Sequence, residues 1–150
     1  MPTHHFQAHL SWHAAAEGPA TSTHRVAFEG RPTLEVSAAP QYRGDPSRLN
    51  PEELFVTAVA SCQLLTYLAL AGRAGVVVVS YQDRAEGTLA IADKKMRITE
   101  VLLRPTIVVA AGADVAQARS LVTTAHDGCF VANSVACAVR IEPEVSAAAS

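Results

Sequence analysis

Apolar and polar residues alternate over residues 6–12, with Phe6, Ala8, Leu10 and Trp12 set against Gln7, His9 and Ser11. That period of two predicts a strand with one buried face. Residues 14–21 are small and contain Gly18 and Pro19, so a loop follows. Residues 24–28 and 32–38 flank Glu29-Gly30-Arg31 as the arms of a hairpin, which makes the first third a three-stranded antiparallel meander. Residues 39–49, with two prolines, a glycine and two arginines, form a loop that feeds a long helix.

The pattern then changes completely. Between Leu54 and Leu70 only Thr57, Ser61, Gln63 and Thr66 are clearly polar, which predicts a core helix covered on nearly every side. Asn50 suits its N-cap and Pro51 its first position, where no N–H is needed. Glu52 and Glu53 favour the positive end of the helix dipole, Arg73 the negative end, and Gly72 and Gly75 close it. Two long strands follow, over residues 76–91 and 96–110, joined by the polar turn Ala92-Asp93-Lys94-Lys95. Pro105 implies a bulge or an edge in the second. Residues 114–126 make an amphipathic helix with Val115, Ala118, Leu121, Val122 and Ala125 on one face and Gly128 beyond its end. Cys129-Phe130-Val131 begins a short turn, residues 134–141 form a last strand, and residues 142–150 a frayed tail. The order β-β-β-α-β-β-α-β is that of a single α+β domain over residues 1–150. So few elements cannot cover the apolar helix on all sides, which points to a second copy of the chain.

Composition narrows the partners. A net charge of −2 with 17% charged residues gives no electrostatic reason to expect nucleic acid or an anionic membrane. The opening MPTHHFQAHLSWH has no basic stretch leading into an apolar run, so no signal peptide is expected. The apolar helix is too mixed with polar residues to read as a membrane span. A cytoplasmic setting keeps the three cysteines reduced, and buried, catalytic or metal-binding roles then outrank a disulfide framework.

Chemistry gathers at Cys62, in the middle of the apolar helix, and Cys129, separated from it by 66 residues and placed after the second helix. Such a pair suits peroxide or disulfide chemistry, in which one thiolate attacks and the other resolves the sulfenic acid. An attacking thiol needs a lowered pKa, and Cys62 lies about three turns from its helix N-terminus, beyond reach of the dipole. A cation is required, and Arg43 or Arg48 in the preceding loop is available, held by Glu52 or Glu53. Glu52 lies roughly 15 Å from Cys62 along the helix, so a loop arginine or a partner's helix must bridge the gap, which favours a site at a dimer interface. Cys137 sits in an alternating strand and reads as structural. His126 and Cys129 form H-x-x-C, too little for a metal site without a second ligand pair. The N-terminal histidines read as surface groups, and no glycine-rich nucleotide motif is present, so neither metal nor cofactor is expected.

NPEELFVTAVASC ending at Cys62, a following strand with EGTL, and AHDGCFVANSV around Cys129 together resemble the osmotically inducible protein C and organic hydroperoxide resistance family (OsmC/Ohr). The resemblance covers most of the chain. It implies an OsmC-like fold in an intertwined homodimer, with central helices wrapped by two sheets, and thiol-dependent reduction of organic hydroperoxides. By motif, Cys62 corresponds to the peroxidatic and Cys129 to the resolving cysteine, Glu52 to the glutamate of the NPE element, and Arg43 to the catalytic arginine of the OsmC branch. Arg25 matches the more N-terminal arginine of the Ohr branch. Gln63 and Phe130 stand where relatives often carry an aromatic and a proline, which places the chain in an OsmC-like branch. The resemblance also implies an external dithiol reductant, of lipoyl type or a small thiol. Phe55, Leu65, Phe130 and Val131 are the expected apolar walls for substrate. The competing reading is a non-catalytic dimer of the same fold that binds a hydrophobic ligand or senses redox state.

Overall fold

The computed structural model describes all residues 1–150, in two compact units, 1–54 and 55–150. The first unit is the antiparallel meander β1 (His9–Ser11), β2 (His24–Ala27) and β3 (Leu34–Val36), with Leu10 opposite Val26 and Val26 opposite Leu34. Its first strand is shorter than the alternation predicts. Phe6, Leu10 and Trp12, expected to face a core, are exposed. Local backbone pairing was right and burial was wrong, because three short strands leave one sheet face with nothing to pack on.

A single 3-10 turn, Pro40–Tyr42, then reverses the chain, with Arg43 in the left-handed region at its end (φ 62°). Gly44 follows, and a Cβ there would collide with the Ala38 carbonyl. The loop is fastened by Ser37, whose N–H donates to the Leu49 carbonyl (2.8 Å) and whose hydroxyl accepts from the Asp45 N–H (3.0 Å). Asn50 then opens α1 (Pro51–Arg73) through a reciprocal cap. Its Oδ1 accepts from the Glu53 N–H (2.9 Å), and its own N–H donates to Glu53 Oε2 (3.2 Å).

In the second unit, each of the two expected long strands is broken once. The first becomes β4 (Val78–Asp83) and β5 (Glu86–Ala92), and the second β6 (Lys95–Leu103) and β7 (Pro105–Val109). After α2 (Val115–Asp127) come β8 (Ala138–Ile141) and β9 (Glu144–Ala147), so part of the expected frayed tail is a strand. Two three-stranded sheets result, in the orders β4-β7-β9 and β5-β6-β8, and in each the last strand joins in parallel. The breaks coincide. Asp83 Oδ1 accepts from the Arg104 N–H (2.8 Å), the Arg104 side chain meets Glu86 and Glu142, and the Glu142 N–H donates to the Leu103 carbonyl (2.9 Å). Pro105, which cannot donate, stands just past this crease opposite Asp83. The β5–β6 turn holds Asp93 and Lys94 both at positive φ (51° and 62°), the geometry of a tight two-residue hairpin.

α1 is long and apolar enough to cross a membrane by length and composition alone, yet one side of it packs as a core helix, as the sequence reading expects. Tyr67 and Ala71 join Ile107, Val109, Val145 and the Ala118, Val122 and Ala125 face of α2 in one apolar cluster. Val59 packs with Val101 and Leu103 in another, flanked by Phe55, Val56 and Cys137. The opposite side of α1 is bare, with Leu65 and Leu68 65% and 40% exposed. The helix is therefore covered on one side only.

Candidate active site

Two buried hydrogen bonds fix the rotation of α1 against α2. Gln63 Nε2 donates to the Val122 carbonyl (3.1 Å), and one turn later the Tyr67 hydroxyl donates to the Ala118 carbonyl (3.2 Å). With Gln63 turned inward, its neighbour Cys62 faces the segment that leaves α2. That helix is capped at its start by Asp114, whose carboxylate accepts from the Gln117 N–H (3.0 Å), and it ends at Gly128. Cys129 follows immediately and is fully buried, while Cys62 is half-buried, so the two thiols lie side by side as free cysteines.

Their environments differ in sign. Burial pushes the Cys62 thiol up, but the Cys129 thiol, the Val131 N–H, the neighbouring Thr66 side chain (whose hydroxyl donates to the Cys62 carbonyl, 2.8 Å) and the Phe130 N–H outweigh it and leave Cys62 below the ordinary range. Cys129 is pushed up, first by burial and then by donating to Cys62, against weaker help from the Ala132 N–H at 3.4 Å. Of the two thiols, Cys62 is therefore the one shifted toward the thiolate and Cys129 the one shifted away from it. The amides reach the sulfurs because the chain turns tightly from Cys129 into the 3-10 turn Ala132–Ser134. There Asn133 N–H donates to the Cys129 carbonyl (3.0 Å), Asn133 Nδ2 to the Asp127 carbonyl (3.0 Å), and Ser134 Oγ to the Phe130 carbonyl (2.7 Å). Successive N–H groups in such a turn make an anion-binding concavity.

Cys62 opens onto an apolar hollow of about 750 Å³, a size typical of small-molecule sites. Leu65, Thr66, Ala69 and Leu70 wall it on α1, Phe130 and Val131 on the turn, and Arg73 is its one charged residue.

A family model described as OsmC-like protein matches residues 44–144. The chain belongs to the OsmC-like protein family. A solved OsmC-like protein of unknown function from Vibrio cholerae is 30% identical, superposes with a TM-score of 0.88, and is matched over 94% of this chain and 99% of that one. The uncharacterised protein YmaD of Bacillus subtilis is 24% identical over 97% of this chain and 96% of its own length. An organic hydroperoxide resistance protein OsmC from Legionella pneumophila is 21% identical with a TM-score of 0.69, covering 94% of this chain and 97% of that one, a likeness of fold alone.

In this OsmC-like chain the remaining predicted site residues are not all brought together. Arg43 is exposed and forms no ion pair, and it does not meet Glu52, because the left-handed turn that carries it is fastened to residues 37–45 instead. Arg48 is taken by Glu35 and Asp45. Arg25 is exposed on β2, opposite Glu35. Glu53 is occupied by the helix cap, whereas Glu52 Oε2 is buried without a hydrogen-bond partner. Leu65, Phe130 and Val131 line the hollow at Cys62. Phe55 does not: it borders a separate recess with Ile98 and Cys137, because it lies on the side of α1 that packs on β6. His126 Nδ1 is buried and unpartnered, and no three metal-binding side chains converge near it or elsewhere.

Three features of the site escaped the sequence reading. Thr66 stands one turn after Cys62, a spacing visible in the sequence. Arg73 lies on the same helical stripe as Cys62 and Thr66, and serves the hollow as well as the helix end. The amides of Phe130 and Val131 are backbone groups with no compositional signal.

Proposed function

We propose that this OsmC-like protein is a thiol peroxidase that reduces organic hydroperoxides to alcohols. The observation that carries the reading is the paired thiols of opposite pKa shift at the mouth of an apolar hollow. In this mechanism the Cys62 thiolate attacks the distal peroxide oxygen, the O–O bond breaks, and the leaving alkoxide takes up a proton to become the alcohol. Cys62 is left as a sulfenic acid. Cys129 attacks its sulfur, water leaves, and a Cys62–Cys129 disulfide forms. An external dithiol, of lipoyl type or a small thiol, then returns both cysteines to thiols. The amides of Phe130 and Val131 stabilise negative charge on the Cys62 sulfur without any metal or cofactor being invoked.

The working unit in this reading is a cytoplasmic homodimer. The bare apolar side of α1 supports it, and so does the unpaired Glu52 carboxylate oxygen, which suits an arginine such as Arg43 once a second copy is in place. The deciding experiment is mass spectrometry of the reduced protein after one equivalent of cumene hydroperoxide, with no added thiol. Loss of two hydrogens, mapped to Cys62 and Cys129 within seconds, is the expected result. An unchanged mass overturns the peroxidase and leaves the apolar hollow as a binding site for a hydrophobic ligand.

A further inference from the structure

We propose that Gln63 is a positioning residue for the resolving step, its buried bond to α2 holding the Cys62 sulfur where Cys129 can reach it. The inference deepens the peroxidase reading and rests on it. Gln63 is 1% exposed and is one of the largest fully buried side chains in the molecule. Its Nε2 donates to the Val122 carbonyl (3.1 Å), but its Oε1 is buried with no hydrogen-bond partner. Leaving a buried carbonyl unpaired costs at least as much as one ordinary hydrogen bond returns. The acceptor gains little either, because the helical bond from the His126 N–H already serves the Val122 carbonyl within α2. An apolar side chain of similar size would fill the same space without that cost. Stability does not account for an amide here.

Its place in the fold does. Gln63 follows Cys62 directly, and Val122 belongs to the helix that delivers Cys129, so the bond ties together the two elements that carry the thiols. Tyr67 and Ala118 make the next rung, one turn further from Cys62 along both helices. A roll of α1 by about 10° would carry a sulfur about 5 Å from the helix axis through roughly 1 Å. Disulfide formation tolerates little misplacement of that size. Cys129 is fully buried in a turn fastened by Asn133 and Ser134, so it has little room to follow. A sulfenic acid that is not resolved stays open to further peroxide. The same bond therefore sets the partition of Cys62 between disulfide and sulfinic acid.

The test uses Gln63→Leu and Gln63→Glu in the full chain, with an excess of cumene hydroperoxide and no added thiol. Gln63→Leu should give about three- to tenfold more Cys62 sulfinic acid relative to the Cys62–Cys129 disulfide than wild type, read by mass spectrometry. Its urea midpoint should equal or exceed that of wild type, since an unpaired buried carbonyl is gone. The pH midpoint of Cys62 alkylation by iodoacetamide should move up, because a displaced sulfur leaves its donors. Gln63→Glu should restore the disulfide at about pH 6, where a buried carboxyl keeps its proton and donates to the Val122 carbonyl, and lose it as pH rises. A wild-type partition and alkylation midpoint in Gln63→Leu overturn the proposal, and so does an equal loss in the two variants at about pH 6. Lowered stability with both readouts unchanged marks Gln63 as a packing residue and overturns it as well. Absence of both disulfide and sulfinic acid in wild type removes the peroxidase reading. The alkylation midpoint then tests the placing of the sulfur by itself, and an unmoved midpoint in Gln63→Leu overturns that too.

Discussion

At the scale of single residues, the chemistry of Cys62 is set by what donates to its sulfur. A lowered pKa means that the reactive thiolate persists at lower pH than for a free cysteine, so the alkylation rate of Cys62 should rise and level off below the usual thiol range. Replacing Cys129 by Ala removes one of those donors, and the midpoint should move up, measured by iodoacetamide labelling against pH. No movement would mean that the amides of Phe130 and Val131 and the Thr66 side chain suffice. Cys62→Ser should abolish peroxide turnover. Cys129→Ser should allow one turnover and then leave Cys62 open to over-oxidation, seen as sulfinic acid by mass. The two cysteines were legible in the sequence because thiols are scarce and their contexts distinctive. The donors were not, since a main-chain amide exists at every residue and only the turn at 129–134 aims these. Gln63 was legible only as a departure from its relatives, although its bond to Val122 orients the sulfur beside it.

Among the elements, the start of α1 was readable to the residue, because Asn50, Pro51 and Glu53 act locally. The breaks in the long strands were not. A crease at Asp83, Arg104 and Glu142 is made by residues far apart in the chain, and β9 pairs in parallel with β7 through four residues of little β character. The Asp83 carboxyl in that crease is raised by burial, against the help of the Arg104 N–H and charge. A carboxyl with a raised folded pKa favours the native state below its unfolded pKa, and that contribution is lost as pH rises through the folded value. Asp83→Asn should therefore flatten the pH dependence of unfolding across the carboxylate range, as followed by urea titration at several pH values. A different constraint holds where β5 approaches α1. A Cβ on Gly87 would stand 2.6 Å from Val56 Cγ2. Gly87→Ala should cost about 1–3 kcal/mol of stability, and Val56→Ala in the same chain should return much of it, because the clash lies between those two side chains.

For the molecule as a whole, the decisive surface is the bare side of α1. Leu65 and Leu68 are large apolar residues on a helix otherwise treated as core, and an exposed face of this kind is a common mark of self-association. The proposed dimer predicts that Leu68→Lys shifts the protein to monomer in light scattering, with apparent stability that no longer rises with protein concentration. Fold class was legible from the order of elements; the extent of burial was not, because a hydrophobic pattern states what must be covered and not by which chain. One last consequence follows from the hydrogen-bonded sulfurs. Cys62 and Cys129 enclose 66 residues, most of the second unit, and joining them would remove about 4 kcal/mol of conformational entropy from the unfolded chain. Each catalytic cycle would then pass through a spent form that melts higher than the ready one. The reductant would have to work against that added sturdiness, and the melting temperature would serve as a gauge of how much of the pool awaits reduction.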